Sequence, residues 1–355
     1  MPRAAEAGNN EGHRHGGEGS GTHLYGGISL KPPRVLITGA DGFVGRHLAA
    51  YLADEAGAEV MGIDLGGPRP GGPWGRCAFG VCDILDAAAV LKAVDSFRPD
   101  HVFHLAAQSS VRRSWENPEL TYRVALAGQA NLMDALREAG LEARVHVACS
   151  AEEYGKVRED ELPITESHPL RPASPYALSK VMQEYHAVFC HQAYGVGTVI
   201  TRAFNMIGPG QSPEFVASDF ARQIAEAEAG LREPVLRVGN LEARRDFSDV
   251  RDLAQAYWVL LRRGEPGEAY NVCSGEDHPV SELLDILLSL SRTRIEVEVD
   301  PRKYRVADIP VLRGDNAKMR EITGWEPAHD LRQTLADVLD WWREELGLSG
   351  TGDGG

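Results

Sequence analysis

The chain has no long run of basic residues and no apolar run of membrane-spanning length. Its 355 residues include 52 acidic and 37 basic side chains, for a formal net charge of −15. This balance argues against nucleic acid or an anionic membrane as the main partner. No stretch approaches the roughly 18 apolar residues that a membrane span needs, and no signal peptide is visible. We therefore expect a cytoplasmic protein.

Cysteine is scarce as well. The chain has five cysteines, an odd number, and their spacing is not that of a metal site. Reduced thiols and no bound metal are the interpretation that these features favour. The two ends, 1–31 and 347–355, are rich in glycine and polar residues and are predicted to be flexible tails.

The first ordered segment has the pattern of a dinucleotide-binding turn. A short β-rich run, Val35–Thr38, leads directly into three regularly spaced glycines and then a predicted helix over 43–54. The glycines allow a tight turn and close backbone approach, and the helix N-terminus faces a pyrophosphate. The cofactor contacts predicted from this turn are Gly39, Gly42, Phe43, Val44 and Gly45.

The second predicted strand, Glu59–Ile63, ends in a residue that bears on cofactor choice. The carboxylate of Asp64 can accept hydrogen bonds from both ribose hydroxyls and would repel a 2′-phosphate. The sequence therefore favours NAD(H). The nearby Arg69 is suited to neutralising a 2′-phosphate, which keeps NADP(H) as the alternative.

Two further predicted strands, Phe79–Ile84 and Val102–Gln108, are expected to line the same cofactor. Asp83 suits the adenine edge, and its alternative role is the N-cap of a helix that begins at Ala87. The small residues that end the second of these strands would let a nicotinamide riboside lie against the backbone. The further predicted contacts are Asp83, Ile84, Leu105, Ala106 and Ala107.

Strands that alternate with helices indicate the fold class: α/β, with a doubly wound parallel (Rossmann-type) sheet. Less regular segments beyond Phe204 predict a smaller, interleaved C-terminal substrate domain. The predicted boundaries are 32–206 plus about 245–273 for the NAD(P)-binding domain, and about 207–244 and 274–346 for the substrate domain. Later helices are predicted over 118–139, 176–193, 215–229, 250–263, 279–291 and 330–346.

The candidate catalytic residues lie around a Tyr-x-x-x-Lys spacing. Tyr176 and Lys180 share one helix face, and Pro175 fits the first turn of that helix. A nearby ammonium favours the phenolate, so we expect a lowered tyrosine pKa. Ser150 follows the end of the fifth predicted strand, Arg144–Ala148, where its hydroxyl can hold a substrate oxygen. Because this set follows a glycine turn, it predicts an oxidoreductase in which Tyr176 moves a proton and the cofactor moves a hydride.

With these motifs the chain resembles the extended short-chain dehydrogenase/reductases that act on nucleotide-sugars, over about residues 34–345. The segments that carry the resemblance are Ser150–Gly155, Phe204–Gln211, Gly239–Phe247 and Tyr270–Gly275. They are most similar to the reductases of GDP-4-keto-6-deoxymannose, and the third is shared with the sibling GDP-mannose 4,6-dehydratases. The resemblance implies reduction of the 4-keto group of a GDP-6-deoxy-4-ketohexose. It also implies a homodimer formed through helices 118–139 and 176–194.

The same resemblance implies roles for individual residues. Lys180 would also hydrogen-bond the nicotinamide ribose, so that Tyr176 and Lys180 count among the cofactor contacts. Asn205 and Arg245 would hold the diphosphate, for which a guanidinium is well suited. Arg222 would reach the same group, or else lie on a solvated helix face.

The nucleoside is expected to contact a segment close to the C-terminal end. Arg305 and Asp308 fall where the family grips the nucleoside, and an acidic group there suits the paired N–H donors of guanine. An ordinary surface ion pair is the alternative interpretation of these two residues.

Glu152 is the last catalytic candidate. In the dehydratases the aligned glutamate removes the C5 proton of a 4-keto sugar, and the reductases also carry a glutamate there. A hydrogen-bonding role without proton chemistry is the alternative for Glu152. The chain departs from the family pattern at Met206, where a histidine is usual, and at Ala125, where an asparagine is common.

Other functions fit the same motifs. An NAD-retaining nucleotide-sugar 4,6-dehydratase or 4-epimerase would use the same fold and the same cofactor turn. A non-enzymatic nucleotide-sensing scaffold with a degenerate site is the alternative from another class, and the intact Ser150, Tyr176 and Lys180 argue against it.

Overall fold

The computed structural model describes residues 31–303 and 310–348 of the chain. The predicted nucleoside contacts Arg305 and Asp308 therefore lie outside the described residues. From Pro33 onward the described residues belong to one compact unit. No helix within them has the length and apolar character needed to cross a membrane.

Strands and helices alternate through the first two thirds of the described chain. The strands are β1 (Arg34–Thr38), β2 (Glu59–Asp64), β3 (Ala78–Val81), β4 (His101–His104), β5 (Arg144–Ser150), β6 (Gly197–Ala203), β7 (Asn205–Ile207), β8 (Val235–Val238), β9 (Arg244–Asp249), β10 (Ala269–Val272), β11 (Asp277–Pro279), β12 (Glu296–Val299) and β13 (Val311–Leu312). The α-helices are α1 (Phe43–Asp54), α2 (Ala87–Phe97), α3 (Val111–Glu116), α4 (Pro118–Glu138), α5 (Pro175–Tyr194), α6 (Val216–Glu228), α7 (Val250–Arg263), α8 (Val280–Leu290), α9 (Ala317–Thr323) and α10 (Leu331–Glu345).

A central sheet of seven parallel strands has the order β10-β6-β5-β4-β1-β2-β3. In β1, Val35 and Ile37 pack into the apolar core that includes α1 and α7. Leu36, between them, packs into the core that includes α2, α4 and α5. Both faces of the strand are therefore buried, which explains its continuous apolar sequence. The predicted doubly wound parallel sheet is confirmed.

The strand order reverses at β1, because β2 and β3 extend to one side and β4 begins the other. Ligands of such sheets bind outside the carboxyl ends of the strands at this point. Gly39 follows β1 with a φ of +68°, and a Cβ at this position would lie 2.7 Å from the backbone nitrogen of Ala106. The nitrogens of Leu105 and Ala106 donate to the carbonyl and hydroxyl oxygens of Thr38, at 3.1 and 3.2 Å. The turns after β1 and β4 are therefore in direct contact.

A third apolar core lies among α6, α8 and α10. Phe220, Leu283 and Leu339 supply one buried side chain from each of these helices. Two small sheets accompany this core: β8 pairs in parallel with β12, and β9 pairs with β7, β11 and β13. Because β9 leads directly into α7, which packs on the central sheet, the chain passes between the two parts without a linker.

Two predicted strands prove too long. The third strand ends at Val81 and the fourth at His104, since the residues that follow form turns at the carboxyl edge. The alternative role of Asp83 as a helix cap is wrong. Asp86 caps α2, with its carboxylate accepting from the nitrogens of Ala88 and Ala89, whereas Asp83 accepts from the nitrogen of Leu85 at 2.9 Å.

We predict that Gly39→Ala destabilises the protein more than Gly57→Ala. Both glycines have positive φ, +68° and +62°, but only Gly39 has heavy atoms within 4 Å of an added Cβ. Gly57→Ala should therefore cost the left-handed backbone penalty alone, about 1–2 kcal/mol. Gly39→Ala should cost about 1–3 kcal/mol more, because the turn after β4 must move. Urea unfolding of both variants measures the difference, and equal losses would contradict the close approach of the two turns.

Candidate active site

Two hydroxyl groups meet at the carboxyl edge of the sheet. β5 ends at Ser150, and α5 begins after Ser174, whose hydroxyl accepts from the nitrogen of Ala177 at 3.1 Å. Pro175 occupies the first helical position, as predicted. This start places Tyr176 in the first turn of α5, half-buried, with its phenol near the side chain of Ser150. The structure thus brings the predicted serine and tyrosine together.

Lys180 lies one turn further along α5 and is buried. Its ammonium nitrogen is 5.9 Å from the centre of the Tyr176 ring. The ammonium donates to the carbonyl oxygen of Ala148 at 2.8 Å and to Oε1 of Gln183 at 2.9 Å. Burial lowers the pKa of Lys180. Gln183 was not predicted as part of the site, although its spacing of three residues from Lys180 puts it on the same helix face.

The expected direction of the Tyr176 pKa is wrong for this structure. Burial raises the pKa of Tyr176 well above its usual value, and the nearby side chain of Ser150 opposes that shift only in part. The negative charge of Glu152 raises it further. The cost of removing a phenolate from water therefore exceeds any benefit from an ammonium that binds other oxygens. Tyr176 carries its proton at neutral pH.

Three titratable side chains that the sequence motifs do not predict lie buried beneath Ser150. They are Glu153, Glu184 and Arg202. The guanidinium of Arg202 donates to Oε2 of Glu184 at 2.8 Å and to the hydroxyl of Tyr154 at 2.9 Å. The available signals were an arginine in the largely apolar segment Gly197–Ala203 and a glutamate four residues after Lys180.

Acidic side chains also organise the cofactor edge of the sheet. The carboxylate of Asp64, at the end of β2, accepts from the nitrogens of Asp41 and Leu65, at 2.9 and 2.7 Å. The carboxylate of Asp41 accepts from Nε of Arg69 at 2.8 Å and from the indole nitrogen of Trp74 at 3.0 Å. Arg69 is therefore held at this edge of the sheet by an ion pair with Asp41.

The predicted cofactor turn fits a dinucleotide. α1 begins after Gly42 without a side-chain cap, so its first amides lack the acceptor that a capping residue supplies. A Cβ at Gly45 would lie 2.4 Å from the carbonyl oxygen of Ala40, which keeps the helix close to β1. The other predicted contacts surround this turn: Phe43 and Val44 start α1, Leu105, Ala106 and Ala107 follow β4 and are half-buried, and Asp83 and Ile84 follow β3.

The predicted diphosphate ligands divide into two groups. Asn205 begins β7 and pairs with Phe247 of β9, two residues after Arg245 on that strand. Strand alternation puts Arg245 on the same face as Phe247, and the Arg245 guanidinium donates to the carbonyl oxygen of Arg244 at 2.8 Å. Arg222 instead hydrogen-bonds two acids of its own helix, Glu226 at 2.7 Å and Asp219 at 3.2 Å.

Comparison with known proteins places these features in a family. The model of the GDP-mannose 4,6 dehydratase family matches residues 36–338. The GDP-6-deoxy-D-mannose reductase of Pseudomonas aeruginosa is 35% identical over 88% of this chain and 98% of its own length. Among solved structures, RMD from Pseudomonas aeruginosa complexed with NADPH is 33% identical, with a TM-score of 0.76 over 88% of this chain and 99% of that one. The UDP-glucose 4-epimerase of Thermus thermophilus in complex with NAD is 33% identical, with a TM-score of 0.78 over 87% and 99%.

The resemblance predicted from the motifs is confirmed, because both the family model and these relatives span nearly the whole described chain. The two solved relatives hold NADPH and NAD respectively, and the chain is accordingly an enzyme that uses a nicotinamide cofactor. It belongs to the GDP-mannose 4,6 dehydratase family of extended short-chain dehydrogenase/reductases, the NAD(P)-dependent enzymes that reduce, dehydrate or epimerise nucleotide-sugars.

Proposed function

We propose that the chain reduces the 4-keto group of a GDP-6-deoxy-4-ketohexose. The observation that carries this proposal is the placement of Ser150 beside Tyr176, a phenol that burial keeps protonated, at the carboxyl edge of the sheet. Similarity to a GDP-6-deoxy-D-mannose reductase over almost the full length of both chains supports the substrate. A protonated phenol suits reduction, because the nascent alkoxide needs a proton donor.

When bound, a reduced nicotinamide would supply the hydride that C4 of the sugar needs. Ser150 donates a hydrogen bond to the carbonyl oxygen and fixes its direction. Tyr176 gives its proton to the same oxygen as the hydride arrives, so the product is a neutral hydroxyl. Lys180 lies behind the tyrosine, where its positive charge stabilises the negative charge that develops on the phenol oxygen as the proton leaves.

For the substrate, we assign the smaller part of the chain, about 207–244 and 274–346, to the nucleotide-sugar. Asn205 and Arg245 are proposed to hold the diphosphate, which the pairing of their two strands supports. Arg222 would have to leave its acidic partners, Asp219 and Glu226, to join them. Arg305 and Asp308 remain the prediction for the nucleoside.

A cofactor-recycling 4,6-dehydratase is the second candidate, and Glu152 is the observation that favours it. Its negative charge acts on Tyr176, so the carboxylate lies close to the reacting end of the site. A base in that place suits removal of the C5 proton of a 4-keto sugar. For the reductase, we propose that Glu152 only orients groups around Ser150, to whose hydroxyl its own backbone nitrogen donates at 3.2 Å.

Tyr176→Phe should abolish turnover of GDP-4-keto-6-deoxymannose while cofactor binding remains nearly intact. Removal of the proton donor should lower kcat by about 10²–10⁴-fold. Consumption of NADH and NADPH measures turnover, and a fluorescence titration of each cofactor measures binding. Tyr185→Phe, which changes an exposed tyrosine of the same helix, is the matched control. Turnover at the wild-type rate in Tyr176→Phe would contradict the proposal that Tyr176 is the proton donor.

The same assay on the wild-type protein distinguishes a reductase from a dehydratase or an epimerase. A reductase consumes one added NAD(P)H for each sugar and exchanges its cofactor. A dehydratase or epimerase purifies with NAD bound and converts GDP-mannose or a UDP-sugar without a reductant. Near-stoichiometric NAD released from the denatured protein would therefore favour the second candidate.

We further propose that NAD(H) is preferred, with NADP(H) as the alternative. A 2′-phosphate on the ribose would approach the carboxylate of Asp64, and Arg69 would have to leave its ion pair with Asp41 to neutralise it. Asp64→Asn removes one negative charge and should raise the NADPH-to-NADH ratio of kcat/KM by about tenfold, which corresponds to about 1.4 kcal/mol. Asp83→Asn, at the adenine edge, is the control. An unchanged ratio in Asp64→Asn would show that Asp64 does not select the cofactor.

A homodimer through α4 and α5 is the proposed assembly. Leu178, Tyr185 and Phe189 of α5 are 40%, 64% and 50% exposed. Their spacing puts them on one face of the helix. The double variant Tyr185→Lys with Phe189→Lys should convert a dimer into a monomer in light scattering. Leu231→Lys, which changes another exposed apolar residue, should leave the mass unchanged, and a double variant that keeps the wild-type mass would contradict this interface.

A further inference from the structure

Glu153 is a fully buried carboxyl group directly beneath the candidate active site. It lies in the short 3₁₀ turn Ala151–Tyr154 that follows β5. Its Oε1 accepts from the backbone nitrogen of Ser150 at 3.1 Å. Its Oε2 has no hydrogen-bond partner among the described residues. An ionised carboxylate would leave this oxygen as an uncompensated acceptor in the interior, which is costly.

The cation closest to Glu153 is already engaged. Nε of Arg202 lies 3.8 Å from Oε2 of Glu153, too far for a hydrogen bond. The Arg202 guanidinium instead donates to both oxygens of Glu184, at 2.8 and 2.5 Å. Lys180, the next buried cation, donates to Ala148 and Gln183. One guanidinium therefore hydrogen-bonds Glu184 and leaves Glu153 with an ion-pair contact at 3.8 Å but no hydrogen-bonded cation.

The two carboxyl groups are close neighbours. Ligand atoms of Glu153, Glu184 and Cys149 all lie within 4.8 Å of one another. Two carboxylates this close in a dry interior do not both ionise. Burial, and then the charge of Glu184, raise the pKa of Glu153. The titratable and charged groups that face Glu153 from β5, the 3₁₀ turn, α5 and β6 are Cys149, Glu152, Tyr176, Lys180, Glu184 and Arg202.

We propose that Glu153 is a positioning residue that works in its protonated form, donating from Oε2 to Glu184 while Oε1 accepts the amide of Ser150. A proton on Oε2 turns the unpartnered acceptor into a donor and joins both carboxyl groups to Arg202. The hydrogen bond to the Ser150 amide fixes the turn that presents the Ser150 hydroxyl to Tyr176. Of the effects expected from this inference, only the effect on turnover rests on the proposed function.

The protonated state also matters for the acid strength of Tyr176. A negative charge on Glu153 disfavours the tyrosinate and so raises the pKa of Tyr176. A neutral Glu153 spares the proton donor this additional charge. The protonated carboxyl group of Glu153 thus fixes the position of Ser150 without shifting the pKa of Tyr176. That pKa is then determined by burial, Ser150 and Glu152.

Two variants distinguish the effect of the titrating carboxyl group of Glu153 from the effect of its hydrogen bonds. Glu153→Gln keeps an acceptor for the Ser150 amide and a donor for Glu184, whereas Glu153→Leu keeps neither. Both variants remove the titrating group. A group whose pKa is raised on folding stabilises the folded state below its unfolded pKa, and that stability is lost as pH rises toward its folded pKa. Above about pH 5, the unfolding equilibrium constant of the wild type should therefore increase with pH more steeply than that of either variant. The additional increase should be about tenfold per pH unit.

Urea unfolding at several pH values between about 5 and 8 measures the pH dependence of the unfolding equilibrium constant. The expected difference between the wild type and either variant corresponds to the release of one proton per molecule on unfolding. Infrared difference spectra of wild type against Glu153→Gln should show the carbonyl stretch of a protonated carboxylic acid in the wild type only. Identical pH slopes in all three proteins, or no such band, would overturn the protonated state. A divalent metal found at one per chain by elemental analysis would also overturn it, because Cys149, Glu153 and Glu184 would then be ligands.

Hydrogen exchange and kinetics test the positioning role. The Ser150 amide should exchange slowly in wild type and Glu153→Gln, and at least about tenfold faster in Glu153→Leu. In turnover, Glu153→Leu should lose about tenfold or more in kcat with KM unchanged, and Glu153→Gln should restore most of it. Equal exchange and equal kcat in both variants would overturn the role. If the wild type turns over no GDP-4-ketohexose, the proposed function fails, while unfolding, infrared and exchange still decide this inference.

Discussion

A single buried guanidinium joins the active-site turn to the edge of the central sheet. Arg202 extends from β6 to Glu184 of α5 and to the Tyr154 hydroxyl, which in turn donates to Asn271 of β10 at 2.7 Å. Burial alone would favour neutral arginine, but the hydrogen bonds and charge of Glu184 raise the pKa of Arg202 overall. Because removal of one partner leaves the other charge buried and unpaired, this pair fixes α5 and the sheet in one arrangement. The position of Tyr176 on α5 depends on that arrangement.

The chemistry of Tyr176 follows from the same burial. A phenol at the protein surface near a lysine would be easy to ionise and would suit removal of a proton from an alcohol. In this structure desolvation dominates, and the pKa of Tyr176 is raised. The site is therefore arranged to give a proton to an oxygen that becomes negative, which is the direction of carbonyl reduction.

Short sequence motifs predict much of this arrangement. The features that they do not predict depend on which side chains the fold buries. The glycine turn after β1 and the Pro175–Tyr176 start of α5 are set by backbone requirements of a few adjacent residues, so they were predictable. Glu152 and Glu153 are chemically identical neighbours, yet only Glu153 is fully buried, and no local pattern distinguishes them. The short strands β7, β11 and β13 have two or three residues each, fewer than periodicity can resolve. Their pairing with β9 is a tertiary property.

The two ends of the candidate site use buried acids in opposite ways. At the cofactor edge, burial of Asp41 is outweighed by hydrogen bonds from Arg69 and Trp74, which lower the pKa of Asp41 and keep it ionised. Arg69 is 61% exposed in its side chain, so solvent and ions reach that pair and a ligand anion can compete for the arginine. Beneath Ser150, by contrast, Arg202 is 7% exposed in its side chain and its acidic partners are enclosed. A charge pair open to solvent can exchange partners when a ligand binds, whereas an enclosed one cannot, which suits the first to recognition and the second to holding the reacting groups in place.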